Sequence, residues 1–213
     1  VQSFFHRDSN TFSYLVSDPA SSEAALIDPV LDYDPDTDAS SESPVRAMLD
    51  AIAQQQLHVR WLLETHAHAD HVSAGRRLKQ RFPDATLAIG EGIRAVQATF
   101  APRYGLQLPE EHAVFDHLFA DGETFALGEL QGRIIAVPGH TSDSIAYLID
   151  DALFTGDSLF MPDGGTARCD FPGGDAAQLY RSIQRLLALP DATRVFVCHD
   201  YGPGGRDFAN ETT

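Results

Sequence analysis

The segment Glu64-Thr65-His66-Ala67-His68-Ala69-Asp70-His71 crowds three histidines and one aspartate into six positions. Imidazole nitrogen and carboxylate oxygen are the donors that zinc, iron and manganese take from proteins. Ala67 and Ala69 are small and leave those donors room. A polar strand end with incidental histidines would not reach this density, so the segment is read as a metal-binding loop. Three further candidates each follow an apolar run: His140 in Val137-Pro138-Gly139-His140-Thr141, Asp157 in Leu153-Phe154-Thr155-Gly156-Asp157, and His199 in Val195-Phe196-Val197-Cys198-His199. Taken singly, each reads as a turn or strand-end residue. Strand ends converge on one edge of a sheet, so beside the His66–His71 cluster the three are read as members of the same site. His6, His58, His112 and His117 have no such context and are read as surface or core residues.

Those side chains need strands to carry them. Segments 11–17 and 24–30 are rich in β-branched and aromatic residues and read as strands. Residues 32–44 cluster acid, Ser and Pro and read as an exposed loop. Residues 45–56 space Val45, Met48, Leu49 and Ile52 as a helix does, and 57–64 read as a buried strand. A helix over 72–82, a strand over 86–89 and a helix over 91–100, with Pro102 near its end, follow. Short strands are expected at 124–127, 133–137, 145–149 and 152–155. A helix over 175–188, with Asp175 as its N-cap, and a last strand over 194–198 complete the chain. This order predicts two β-sheets with helices outside them, in one domain over 1–213, rather than one regular parallel sheet.

The formal net charge of -16 disfavours nucleic acid as a partner. No apolar run approaches the roughly 18 residues of a membrane span, and the first residues lack the build of a signal peptide. Cys169 and Cys198 make no disulfide framework and read as reduced thiols of a cytoplasmic protein. Cys198 ends an alternating run, which would turn it to the face opposite His199.

In order and context, H-x-H-x-D-H, then G-H-T, T-G-D and a late strand-end His, the chain resembles the metallo-β-lactamase superfamily. The resemblance implies an αββα sandwich, two mixed sheets flanked by helices, with the metal between the sheet edges. In two-metal members His66, His68 and His140 would hold one ion, Asp70, His71 and His199 the second, and Asp157 would bridge. The finer wording, E-T-H-A-H-A-D-H with Arg168-Cys169-Asp170-Phe171, Leu179-Tyr180 and His199-Asp200-Tyr201, resembles the persulfide dioxygenases of the ethylmalonic encephalopathy protein group. The chain departs from that group in having Cys169 where the group has Thr, and in a slightly longer loop from Asp157 to Arg168. Relatives usually continue past the H-D-Y motif, so a C-terminal part of the family pattern is expected to be missing.

The resemblance implies one ferrous ion held by His66, His140 and Asp157, which would also be the catalytic set. Two histidines and one carboxylate leave three positions open for dioxygen and a sulfur substrate. The reaction implied is oxidation of glutathione persulfide by dioxygen to sulfite and glutathione. His68, Asp70, His71 and His199 would then orient ligands and water, and Arg168 and, less directly, Tyr201 would hold the glutathione moiety. For Arg168 an ion pair with Asp170 is the structural alternative. The competing function is a glyoxalase II-like thioester hydrolase with two Zn(2+) or mixed metals, where a metal-bound hydroxide attacks the carbonyl. Lactonase chemistry and a non-catalytic binding module rank behind both, and a homodimer is left open.

Overall fold

The structure, a computed structural model, describes residues 1–34, 36–107 and 114–213. The chain runs β1 (Gln2–His6), β2 (Thr11–Ser17), β3 (Glu23–Ile27), β4 (Val30–Asp34), β5 (Ala39–Ser41), α1 (Ser43–Gln54), β6 (His58–Leu63), β7 (Val72–Ser73), α2 (Gly75–Arg81), β8 (Thr86–Gly90), α3 (Ile93–Tyr104) and β9 (His117–Phe119). It continues through β10 (Thr124–Leu127), β11 (Leu130–Ala136), β12 (Ile145–Ile149), β13 (Ala152–Phe154), α4 (Ala176–Leu187), β14 (Arg194–Phe196) and β15 (Glu211–Thr212). Two six-stranded sheets result, in the orders β1-β2-β3-β6-β8-β9 and β10-β11-β12-β13-β14-β15. Both mix parallel and antiparallel pairs: β3, β6, β8 and β9 run parallel, as do β13 and β14.

Alternation along the strands explains the layering. Phe12, Tyr14 and Val16 of β2 face Ile145, Tyr147 and Ile149 of β12 in one core between the sheets. The residue between two of them, Leu15, points the other way and joins Val45, Met48 and Ile52 of α1 and Leu78 of α2. On the outer face of the second sheet Ala146 packs with Leu186 of α4. A strand that is apolar on both faces is buried on both, so helices must cover the outsides. The expected two-sheet sandwich with outer helices is what forms. Among the described residues no helix is long and apolar enough to cross a membrane.

Four expectations need correction. Residues 32–44 are not one exposed loop: β4 runs on to Asp34, β5 pairs with it, and β7 pairs with β4 on its other side. These strands are short and their outer side chains exposed, so polar composition alone resembles a loop. Helix α1 starts at Ser43, with Pro44 in its first turn, where a missing N–H costs nothing. Helix α3 extends to Tyr104 and includes Pro102 in its last turn. The last strand stops at Phe196, two residues short of expectation.

Candidate metal centre

The loops after β6, β11, β13 and β14 meet at one end of the two sheets. The loop after β6 is held by its neighbours' backbones: Glu64 N–H donates to Ala88 O at 3.0 Å and Ile145 N–H to Thr65 O at 2.9 Å. Asp143 Oδ2 accepts from Ala67 N–H at 2.8 Å, which ties this loop to the one carrying His140. The His199 loop is stitched across to the start of β2, where Phe12 N–H donates to Cys198 O at 2.7 Å.

These ties bring His66, His140 and Asp157 together, all buried, with one donor atom of each within 4.8 Å of the others. Asp157 Oδ2 lies 3.7 Å from His66 Nε2 and 3.5 Å from His140 Nε2. Asp157 Oδ1 lies 3.3 Å from His199 Nε2, and Asp70 Oδ2 approaches the same nitrogen at 3.4 Å. His68, Asp70 and His71 form a second group of donors. All seven residues read from the sequence thus gather at one place.

Hydrogen bonds fix which nitrogen each histidine offers. A carbonyl oxygen only accepts, so His140 Nδ1 must be the protonated atom that donates to Arg168 O at 2.6 Å. Its Nε2 then keeps the lone pair. Thr65 Oγ1 spends its proton on Asp28 Oδ2 at 2.8 Å, and so accepts from His66 Nδ1–H at 3.0 Å. His68 Nε2–H donates to Asp28 Oδ1 at 3.1 Å, which leaves Nδ1 free. His71 Nδ1 donates to Asp70 Oδ2 at 3.2 Å and His199 Nδ1 to Asn10 O at 3.2 Å. Each ring has one nitrogen anchored and the other turned inward, the pattern of metal-ligating histidines.

The donor atoms fit a cation by a separate test. His68 Nδ1, His71 Nε2 and Asp157 Oδ1 are buried and have no hydrogen-bond partner. A buried polar atom without a partner is costly, and these are explained if metal completes them. Burial pulls His66 down to about 3, so its imidazole is neutral and ready to ligate. Burial would raise the Asp157 carboxyl. Its neighbour His199, 3.3 Å away, outweighs that and holds Asp157 ionised far below the usual carboxylate range.

Sequence reasoning missed Asp28. It orients His66 through Thr65 and His68 directly, and it also accepts from Thr65 N–H at 2.7 Å. The signal was present, since Asp28 follows the apolar run of β3 just as Asp157 follows that of β13. Asp28→Asn should weaken metal affinity by roughly 10- to 100-fold, as loss of an outer partner does. A competition titration with a chelator measures this, and an unchanged affinity would show that the His68 tautomer is set elsewhere.

Cys198 also needs correction. Strand β14 has ended before it, so alternation no longer governs its direction. Its sulfur lies with the donors of Asp157 and His199, all within 4.8 Å. Burial, together with the Asp157 and Asp28 charges, pushes the thiol well up, so it stays protonated. Both cysteines are free. Of the histidines set aside, His6 bonds Ser9 and Asp32, His117 pairs with Glu123 and His58 is exposed, while His112 lies outside the described residues.

A cleft of about 490 Å³ opens over His140, Asp157 and His199. Phe160, Phe171 and Tyr201 wall it, and Arg168 stands at its rim. Tyr201 stacks on His199 with ring centroids 6.0 Å apart, and Phe171 sets its edge to His140 at 5.4 Å. Arg168 grips Asp170 through two hydrogen bonds of 2.5 and 2.6 Å and lies 4.8 Å above the Phe171 ring.

Residues 6–199 match the family model described as the metallo-beta-lactamase superfamily. The chain is 46% identical over 214 residues to the beta-lactamase hydrolase-like protein of Xylella fastidiosa, covering all of this chain and 49% of that protein. It therefore spans about half the length of that relative. It is 42% identical over 216 residues to Glyoxylase B2 of Dictyostelium discoideum, covering all of this chain and 74% of that protein. Among solved structures, ETHE1 from Myxococcus xanthus superposes with a TM-score of 0.77 at 33% identity, over 99% of this chain and 78% of that one. With its two-sheet sandwich and its histidine and aspartate metal site, this chain belongs to the metallo-beta-lactamase superfamily.

Proposed function

We propose that residues 1–213 form one catalytic domain, a cytoplasmic persulfide dioxygenase acting on glutathione persulfide. The observation that carries the reading is the set His66, His140 and Asp157: two inward-facing imidazoles and one carboxylate, buried and convergent. The likeness to ETHE1 from Myxococcus xanthus, and the chain's own E-T-H-A-H-A-D-H and Arg168–Phe171 wording, support it. One ferrous ion held by these three residues would supply open positions and redox chemistry toward dioxygen. Overall, glutathione persulfide, dioxygen and water give glutathione, sulfite and two protons.

The chain's own groups divide the remaining work. Thr65 and the Arg168 carbonyl lock the rings of His66 and His140, so both Nε2 atoms stay aimed inward. His199 and Asp70 stand on the far side of Asp157, placed to orient the water and receive its protons. Phe160, Phe171 and Tyr201 shield the reacting sulfur from bulk solvent. Arg168, exposed and beside the cleft, meets a carboxylate of glutathione by exchanging part of its Asp170 contact.

A second reading, a thioester hydrolase with two metals, draws on a specific feature: the free His68 Nδ1 and His71 Nε2 beside Asp70 and His199. The likeness to Glyoxylase B2 of Dictyostelium discoideum supports it. Elemental analysis of anaerobically purified protein, with oxygen uptake on glutathione persulfide and thioester hydrolysis on S-lactoylglutathione, decides between them. One iron per chain with oxygen uptake is expected. Two zinc ions, with thioester hydrolysis that survives iron removal, would reverse the reading.

A further inference from the structure

Arg206 lies outside the metal cluster, yet every donor of its guanidinium is used. Nε and Nη2 donate to the two oxygens of Asp163 at 2.6 and 2.7 Å. Nη1 and Nη2 donate to the two oxygens of Asp200 at 2.6 and 2.8 Å, and Nη1 also to Asp207 O at 3.0 Å. Five N–H groups make five bonds, two of the pairs bidentate. A lysine could not reproduce this, since its ammonium is a single point of charge.

The two carboxylates belong to different loops. Asp200 is buried between His199 and Tyr201, and also accepts from Ala209 N–H at 2.7 Å and Gly202 N–H at 3.3 Å. Asp163 is half-exposed in the loop that leaves Asp157. That loop closes on itself through Phe160 N–H to Gly165 O at 2.9 Å. Phe160 is its inward-facing residue, its ring 6.1 Å from His199 and 6.2 Å from Tyr201. Among the described contacts of Asp163, its side-chain hydrogen bonds are those to Arg206.

We propose that Arg206 is a positioning residue: by stapling the Asp163 loop to the Asp200 loop it sets the aperture between Phe160 and Tyr201 over the metal centre. It determines which thiol substrates enter, and it takes no part in the chemistry. The consequence for substrate rests on the glutathione reading above. The staple itself does not.

Asp163→Ala is the clean test, because it removes an exposed group and leaves the buried Asp200–Arg206 pair intact. Hydrogen exchange of the metal-loaded protein reads the staple directly. The amides of Phe160, Gly164 and Gly165 should exchange at least about tenfold faster, with β12 and α4 unchanged. Kinetics read the consequence: KM for glutathione persulfide should rise about tenfold, with kcat within about twofold and metal content unchanged. Arg206→Lys should behave like Asp163→Ala at this loop, and the double variant Asp163→Ala/Arg206→Lys should be no worse than either alone. Unchanged loop exchange in Asp163→Ala would overturn the staple, whatever the substrate is. Faster exchange with an unchanged KM, for glutathione persulfide and S-lactoylglutathione alike, would overturn the role in specificity. If the unaltered protein turns over neither compound, the functional reading fails, and the exchange result still decides the staple.

Discussion

Asp157→Ala should yield a folded protein that no longer retains its metal. The carboxylate is buried, and among the described residues it is the one acidic group that faces His66, His140 and His199 together, at 3.7, 3.5 and 3.3 Å. Burial alone would favour its neutral form. His199 beside it reverses that, so the group carries its charge through the neutral range. Without it a divalent cation between His66 and His140 would be desolvated among imidazole rings with no carboxylate beside it to offset the cost. The loss should exceed the roughly 10- to 100-fold that removal of an outer partner costs, and turnover should fall with it. The strands beneath do not depend on this side chain, so the melting temperature of the metal-free variant should stay close to that of the metal-free parent. Asp157→Asn separates charge from shape: if the charge is what holds the ion, Asn should lose as much metal as Ala. Stoichiometric metal in the Ala variant, read by elemental analysis, would mean that Asp157 is not a ligand.

The metal centre was largely legible in the sequence because its residue types are uncommon and each follows an apolar run. Seven side chains from four loops therefore stood out before any geometry was known. What stayed hidden is the layer that aims them. Asp28 and Thr65 look like ordinary strand-end residues until His66 and His68 are seen to hang from them. The Asp163–Arg206–Asp200 network was hidden for another reason. Only the parallel pairing of β13 with β14 brings those two loops side by side. The strands with alternating apolar residues, such as β2 and β12, could be read from pattern. Strands β1, β9 and β15 could not, since they are short and owe their conformation to the neighbour they pair with.

The same dependence on a neighbouring element governs His140, and Gly139→Ala exposes it. Gly139 has φ of +144°, and a methyl group there would lie 2.4 Å from the backbone nitrogen and Cα of Leu179 in α4. That helix cannot retreat cheaply. Leu179, Ser182 and Leu186 are buried, Ser182 Oγ donates to Pro138 O at 2.7 Å, and Asp175 N–H donates to Gly139 O at 2.9 Å. The Asp175 side chain caps the helix by accepting from Gln178 N–H at 2.9 Å, so its first turn is rigid where the contact falls. The turn must therefore shift instead, carrying His140 away from the Arg168 carbonyl that fixes its ring. Backbone strain and overpacking add here, each worth roughly 1–3 kcal/mol, so a loss of about 3 kcal/mol or more is expected. In a chain of this size that lowers the melting temperature by roughly 6–12 °C, with weakened metal binding beside it. Gly122→Ala is the control: Gly122 also has positive φ, +79°, but open space where the methyl would go, so it carries the backbone strain alone. If Gly139→Ala costs no more stability than Gly122→Ala and binds metal as the parent does, the close approach of α4 is not what sets His140.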